Sequence, residues 1–140
     1  MKGEILALIS ALLWGIAPIF DKMVVSSGVS PYTANIVRAF GAVTFLIFSV
    51  IVLRQFDQSA FVGRNLIYLL TAGALGGGVA MVLYYMALKF TSASKVVPIT
   101  SIYPLFTILF SSIALGENVS PKVVVGAVLI VLGVVMVCEG

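Results

Sequence analysis

Arg38 has the clearest chemical consequence of any residue in this chain, because the residues around it are overwhelmingly apolar. A charge in the middle of an apolar helix costs about 2.5–3.5 kcal/mol on insertion scales, so it must face protein or a wet cavity. One chemistry open to it is to anchor an anionic group on a bound molecule; another is to form a gate by pairing with Asp21. The plainer alternatives are a structural ion pair, or an arginine whose long stem reaches the nearer interface. Asn35 lies one turn earlier, on the same face. Trp14, Tyr84 and Tyr85 offer ring faces that attract cations. Adjacent helical residues point about 100° apart, so the two tyrosines cannot line one wall. One is assigned to an interfacial aromatic belt and the other, Tyr85, to a cavity. The chain has no histidine and a single cysteine, Cys138. A zinc site, a disulfide framework and a Cys–His or Ser–His pair are therefore not expected, and neither is any other metal, a cofactor or an enzymatic activity.

Hydroxyls and prolines form a second set. Thr100, Tyr103, Thr107 and Ser111 recur at spacings of three and four, which places them on one face of a helix. Pro104 cannot donate to the carbonyl of Thr100, and Pro18 likewise frees the carbonyl of Trp14, so each proline marks a candidate hinge with an available acceptor. Ser10, Trp14, Pro18 and Asp21 make a comparable stripe earlier in the chain. The alternative for such hydroxyls is simple bonding between packed helices. Gly76, Gly77 and Gly78 are consecutive, a composition that weakens a helix and permits a hinge or a close approach. Gly126, Ile130 and Gly133 share a face that lets a second backbone come near, as at a dimer contact.

The elements that carry these residues follow from composition. Of 140 residues, 61% are hydrophobic and 9% charged, and the mean hydropathy is +1.22. A soluble domain carries about 25% charged residues, so the surplus apolar surface must face lipid. Five stretches reach the ~20 residues needed to cross a ~30 Å hydrocarbon core: 4–25, 31–53, 65–88, 94–115 and 120–138. Ser30 and Pro31 supply an N-cap and first-turn proline for the second. Length argues against strands, since lipid offers no partner to an open sheet edge. The first stretch, preceded by Lys2, lacks a small-residue cleavage site and is read as a span rather than a signal peptide. The expectation is an all-α membrane protein with one domain over 1–140. The net charge of +3 is spread thinly, so nucleic acid is not an expected partner.

Charge says little about orientation. One side would carry Lys2, Arg54, Arg64 and Lys122; the other Lys22, Lys89 and Lys95, with Arg38 added if it is counted at its own helix end. Orientation normally follows a Lys/Arg excess on the cytoplasmic side. A chain so nearly balanced is expected to insert both ways and to form an antiparallel dimer, unless a single loop or an insertion partner dominates.

Several segments taken in order carry a family resemblance. They are Leu13-Trp14-Gly15 with Pro18; Arg38; Tyr84-Tyr85-Met86-Ala87-Leu88-Lys89-Phe90 followed by Thr91-Ser92-Ala93-Ser94; Val97-Pro98 and Tyr103-Pro104-Leu105; Leu115-Gly116-Glu117; and Gly126-Ala127-Val128-Leu129-Ile130. This succession resembles the EamA-type domain of the drug/metabolite transporter superfamily. The resemblance implies one half of an inverted-repeat bundle, because most members hold two such domains in tandem with opposite orientation, and it implies that short members work as dimers. The spacing of Gly126 and Gly133 is similar to the dimerisation helix of the small multidrug resistance branch. That branch keeps a glutamate in the middle of its first helix, whereas here Glu4 stands at the start and Trp14 at the centre.

The functional expectation is a multi-pass transporter of the inner (plasma) membrane. It would move small organic metabolites or drug-like compounds outward by alternating access in an antiparallel homodimer. The substrate pathway is assigned to Trp14, Asn35, Arg38, Tyr85, Thr100, Tyr103, Thr107 and Ser111. The alternatives are the obligate half of a heterodimeric transporter or of a lipid-linked sugar flippase, and a non-transporting scaffold or regulatory subunit.

Overall fold

The computed structural model describes residues 2–139, and among these it is helical throughout its ordered elements, with five helices long and apolar enough to cross a membrane. They are α1 (Lys2–Ser26), α2 (Pro31–Leu53), α3 (Gly63–Phe90), α4 (Ala93–Ala114) and α5 (Pro121–Glu139). The chain divides into two compact units, 1–90 and 91–140.

In the first unit α1, α2 and α3 pack against one another. α1 ends where Gly28 takes a left-handed conformation (φ 94°) that a side chain would oppose, with the Gly28 amide bonding back to the Val25 carbonyl. Ser30 holds the N-cap position of α2 without the expected side-chain cap bond; Pro31, with no amide hydrogen to satisfy, starts the helix in its place. The polar connection after α2 is not featureless. Asp57 caps a short 3₁₀ turn, Gln58–Phe61, by accepting from the Ser59 amide at 2.8 Å, and this bond holds its carboxyl below the usual carboxylate range. α3 is α-helical except over Gly73–Val79, where it widens to a π-helix. The amide of Ala80 reaches back five residues, to Leu75. The three consecutive glycines lie inside this segment, where no side chains crowd the wider turn.

In the second unit α5 packs along α4. Ala127 and Val134, seven residues apart, are buried, with Val96 of α4 also in the core of this unit. Gly126, Ile130 and Gly133 lie on the uncovered side of α5, and nothing stands within 4 Å of where a Cβ would project from either glycine. α4 departs from the expected continuous run over 94–115: it is two segments, Ala93–Thr100 and Tyr103–Ala114, joined by a turn at Ser101 and Ile102. Pro98 and Pro104 flank the turn, and two missing amide donors so close together are enough to interrupt the ladder. The consequence is that Thr100 lies on a different helical segment from Tyr103, Thr107 and Ser111, so the four do not form one uninterrupted stripe.

The faces turned away from these interiors are covered with large apolar side chains, among them Leu8, Phe40, Phe45, Ile51, Leu70 and Ile113. In water such a surface would be untenable; in a bilayer it is the lipid-facing surface. The chain is a multi-pass membrane protein.

Candidate functional site

The first unit brings four polar side chains from three helices close together. Asp21 reaches it from α1, Arg38 and Asn35 from α2, and Tyr85 from α3. Tyr85 is 2% exposed and donates its hydroxyl to Asp21 Oδ1 at 2.5 Å. Arg38 Nε lies 3.8 Å from the same oxygen. The Asp21 side chain is 10% exposed, whereas that of Arg38 is 42% exposed, so the pair is sealed on the carboxylate side and open on the guanidinium side. A single long contact through Nε is not the bidentate fork of which arginine is capable. Among the described residues no second carboxylate engages the rest of its donor edge, which is open to another anion.

Local sequence explains each placement. On α1, Pro18, Asp21 and Val25 are the buried residues, and their spacing of three and four makes one stripe facing the other two helices. On α2 the same rule brings Pro31, Ala34 and Asn35 inward. On α3, Tyr85 and Leu88 are the buried pair. The Asn35 side chain donates to the carbonyl of Gly77 at 2.8 Å, across to α3 and inside the π segment. A π turn misaligns the local ladder and leaves carbonyls short of donors, and Asn35 supplies one. Lys22, counted above among the charges of one membrane side, donates to the carbonyl of Leu88 at 2.6 Å. A cation at a helix C-terminus is favourable both to the end carbonyls and to the helix dipole.

Between these helices lies an open groove of about 370 Å³ with Asp21, Arg38 and Tyr85 in its lining and Phe20, Val24 and Val37 among its apolar walls. α1 ends, α2 begins and α3 ends on this side of the membrane. At 1.5 Å per residue the three polar residues therefore lie about 7–11 Å inside their helices. That depth is roughly a third of the way into the hydrocarbon core, short of its midplane.

The other expected site residues have different settings. Trp14 is 66% exposed and is not among the residues lining the groove, so the stripe begun by Ser10 is closed over only at Pro18 and Asp21. On α4 the hydroxyls bond to their own helix: Thr100 to the Val97 carbonyl (2.8 Å), Thr107 to that of Tyr103 (3.2 Å) and Ser111 to that of Ile108 (3.3 Å). Tyr103 is 56% exposed. Three features had no signal in the sequence beyond residue type: the Lys22–Leu88 bond, the π geometry and the position of Tyr84. The Tyr84 hydroxyl is buried and has no hydrogen-bond partner among the described residues, although its ring meets that of Tyr85 edge-on at 6.3 Å.

Comparison with known proteins agrees with this architecture. The chain is 28% identical over 134 residues to the uncharacterized transporter YoaV of Bacillus subtilis, covering 96% of this chain and 46% of that one. It is 25% identical over 137 residues to an uncharacterized transporter of Archaeoglobus fulgidus, covering 98% and 48%. It thus spans about half the length of these curated relatives. An uncharacterized protein of Methanocaldococcus jannaschii, 26% identical over 132 residues, is matched over 93% of its own length. No solved structure matches. The model of the EamA-like transporter family matches residues 1–138, nearly the whole sequence, and the chain belongs to that family.

Proposed function

We propose that this chain is a secondary transporter of the plasma membrane that exports a small organic metabolite or drug-like compound by alternating access, as an antiparallel homodimer in which 1–140 acts as one domain. The observation that carries the reading is the Asp21–Arg38–Tyr85 cluster beside an apolar groove at membrane depth. An intramembrane ion pair is costly and is retained where it serves a pathway or a gate. Arg38, half open to the groove, is the natural contact for an anionic group of the substrate; Asp21 holds it in place between loads. Because the cluster lies towards one end of its unit, an inverted second copy would put an equivalent cluster towards the opposite face. Two such gates, opened in turn around a central site, are what alternating access requires. The uncovered Gly126–Ile130–Gly133 face of α5 is a suitable contact between copies. Relatives of about twice this length, and the even charge balance, favour pairing with an inverted copy. Trp14, Tyr103, Thr107 and Ser111 would complete the pathway, with Pro18, Pro104 and the glycines of α3 as its hinges.

Two measurements test this. In a Cys138→Ala background, Gln58→Cys places a thiol in the polar connection after α2. About half of it should react with an impermeant maleimide in intact cells and all of it after permeabilisation. Labelling of all or none before permeabilisation would sink the homodimer and favour a separate inverted partner. For transport, proteoliposomes are screened with radiolabelled small carboxylates and amines. Arg38→Ala should abolish the uptake observed and Arg38→Lys keep a fraction of it, since lysine retains the charge without the planar fork. If the screen finds no uptake above that of empty vesicles, the chain is a scaffold or regulatory subunit.

A further inference from the structure

Tyr84 and Tyr85 are adjacent, and among the described residues only the Tyr85 hydroxyl of the two has a hydrogen-bond partner. Between them and the first half of α3 stands the π segment Gly73–Val79, in effect an α-helix holding one residue too many. Converting that segment to α geometry would advance everything after it by one residue: a turn of about 100° and a shift of about 1.5 Å along the axis. Residue 84 would then occupy the position and direction now held by residue 85. We propose that Tyr84 is the second partner of Asp21, delivered to it when α3 passes from the π to the α register, so that the two tyrosines are the alternative latches of one gate.

Each element around the slip tolerates it. The carbonyl that Asn35 now holds belongs to Gly77; after a shift of one residue Gly76 takes its place, and glycine on either side presents the same bare backbone. Nothing lies within 4 Å of a Cβ built on Gly73, Gly76 or Gly77, and on Gly78 only the Gly73 carbonyl, at 3.9 Å. The bond from Lys22 would pass from the carbonyl of Leu88 to that of Ala87. Leu88 is fully buried, and alanine in its place fills less space, which is why the π register is the one observed at rest. The unpartnered hydroxyl of Tyr84 is then explained: it is idle in this state and bonded in the other. Register shifts of this kind give a gate two discrete positions rather than a continuum.

The proposal rests on the transport reading, and its test separates the two. In a Cys138→Ala background, Val43→Cys and Met86→Cys carry a nitroxide pair in reconstituted vesicles; both positions are exposed. Two distances are expected, because residue 86 swings with the second half of α3. Tyr85→Phe should enrich the second distance about fivefold and Tyr84→Phe deplete it about fivefold, each by the worth of one hydrogen bond. Removal of Gly76 restores a plain α ladder with residues 77–90 in their present phase, and should leave only the first distance. A single distance in every variant, or a shift in the same direction for both tyrosines, overturns the register switch even if uptake is found. Two distances that respond as stated, in vesicles that take up nothing, would leave the switch standing and remove the transport reading.

Discussion

The Asp21–Arg38–Tyr85 cluster of the first unit and the hydroxyls of α4 in the second are bonded in opposite ways, although Thr44, Ser49 and Thr71 of the first unit bond within their own helices as the α4 hydroxyls do. In residues 1–90 Tyr85, Asn35 and Lys22 bond between helices, over sequence separations of 64 for Tyr85 and Asp21, 42 for Asn35 and Gly77, and 66 for Lys22 and Leu88. In residues 91–140 the hydroxyls of Thr100, Ser101, Thr107, Ser111 and Ser112 bond to carbonyls three or four residues back on the same helix. Reach accounts for part of the difference: lysine, arginine, tyrosine and asparagine side chains can span a helix–helix gap, while a serine or threonine hydroxyl meets its own backbone first. Lipid accounts for the rest. With no hydrophobic force drawing helices together in a bilayer, a bond between helices specifies which face meets which, and a bond within one specifies nothing beyond its own turn.

The contrast can be broken most severely at Asp21. Asp21→Ala leaves Arg38 without its counter-charge at membrane depth and should cost about 2–3 kcal/mol. It can be measured as the shift in an unfolding titration in detergent, and Asp21→Asn with Arg38→Gln should recover much of the loss. Equal stability of Asp21→Ala and the parent would mean that the cluster does not organise the unit. Asn35→Ala should be milder, about 1 kcal/mol, since one carbonyl in the π segment loses its donor. Amide exchange at residues 78–82 should quicken with it, and unchanged exchange would show that the π turn stands without Asn35. Thr107→Val, with similar shape and no hydroxyl, should change stability by less than about 0.5 kcal/mol. A larger loss would show that the α4 hydroxyl has a partner beyond its own helix. The smallest effect is expected at Asp57. Its folded pKa lies below the ordinary value, so the cap is intact at neutral pH and is lost only as pH falls through that lowered value. A ¹³C titration of the carboxyl with its midpoint at or above the ordinary ~3.9 would contradict the cap.

The legible parts of the fold were those encoded by length and hydropathy. Spans read at 31–53 and 65–88 lie within two residues of α2 and α3 as built, because the charges that end them cannot enter lipid cheaply. That Arg38 and Asp21 need shielding was legible for the same reason, with their pairing one of several options: isolated charges at such depth must find each other or water. The break in α4 was half legible. Each proline announces a missing donor, but whether two of them merely bend a helix or divide it depends on what surrounds the turn. The π segment was less so, since consecutive glycines are compatible with a bend, a close approach or a widened turn.

Sequence by itself thus determined a membrane protein of five spans, the polar residues that must be shielded, and the family to which they belong. Tertiary structure alone decided which tyrosine meets Asp21, that Lys22 turns inward to a carbonyl, and that Asn35 is spent on the backbone of α3. These choices depend on helix phase. A change of one residue in the ladder rotates everything after it by about 100°, and local composition leaves that phase undetermined until neighbouring helices make one register better bonded than the other.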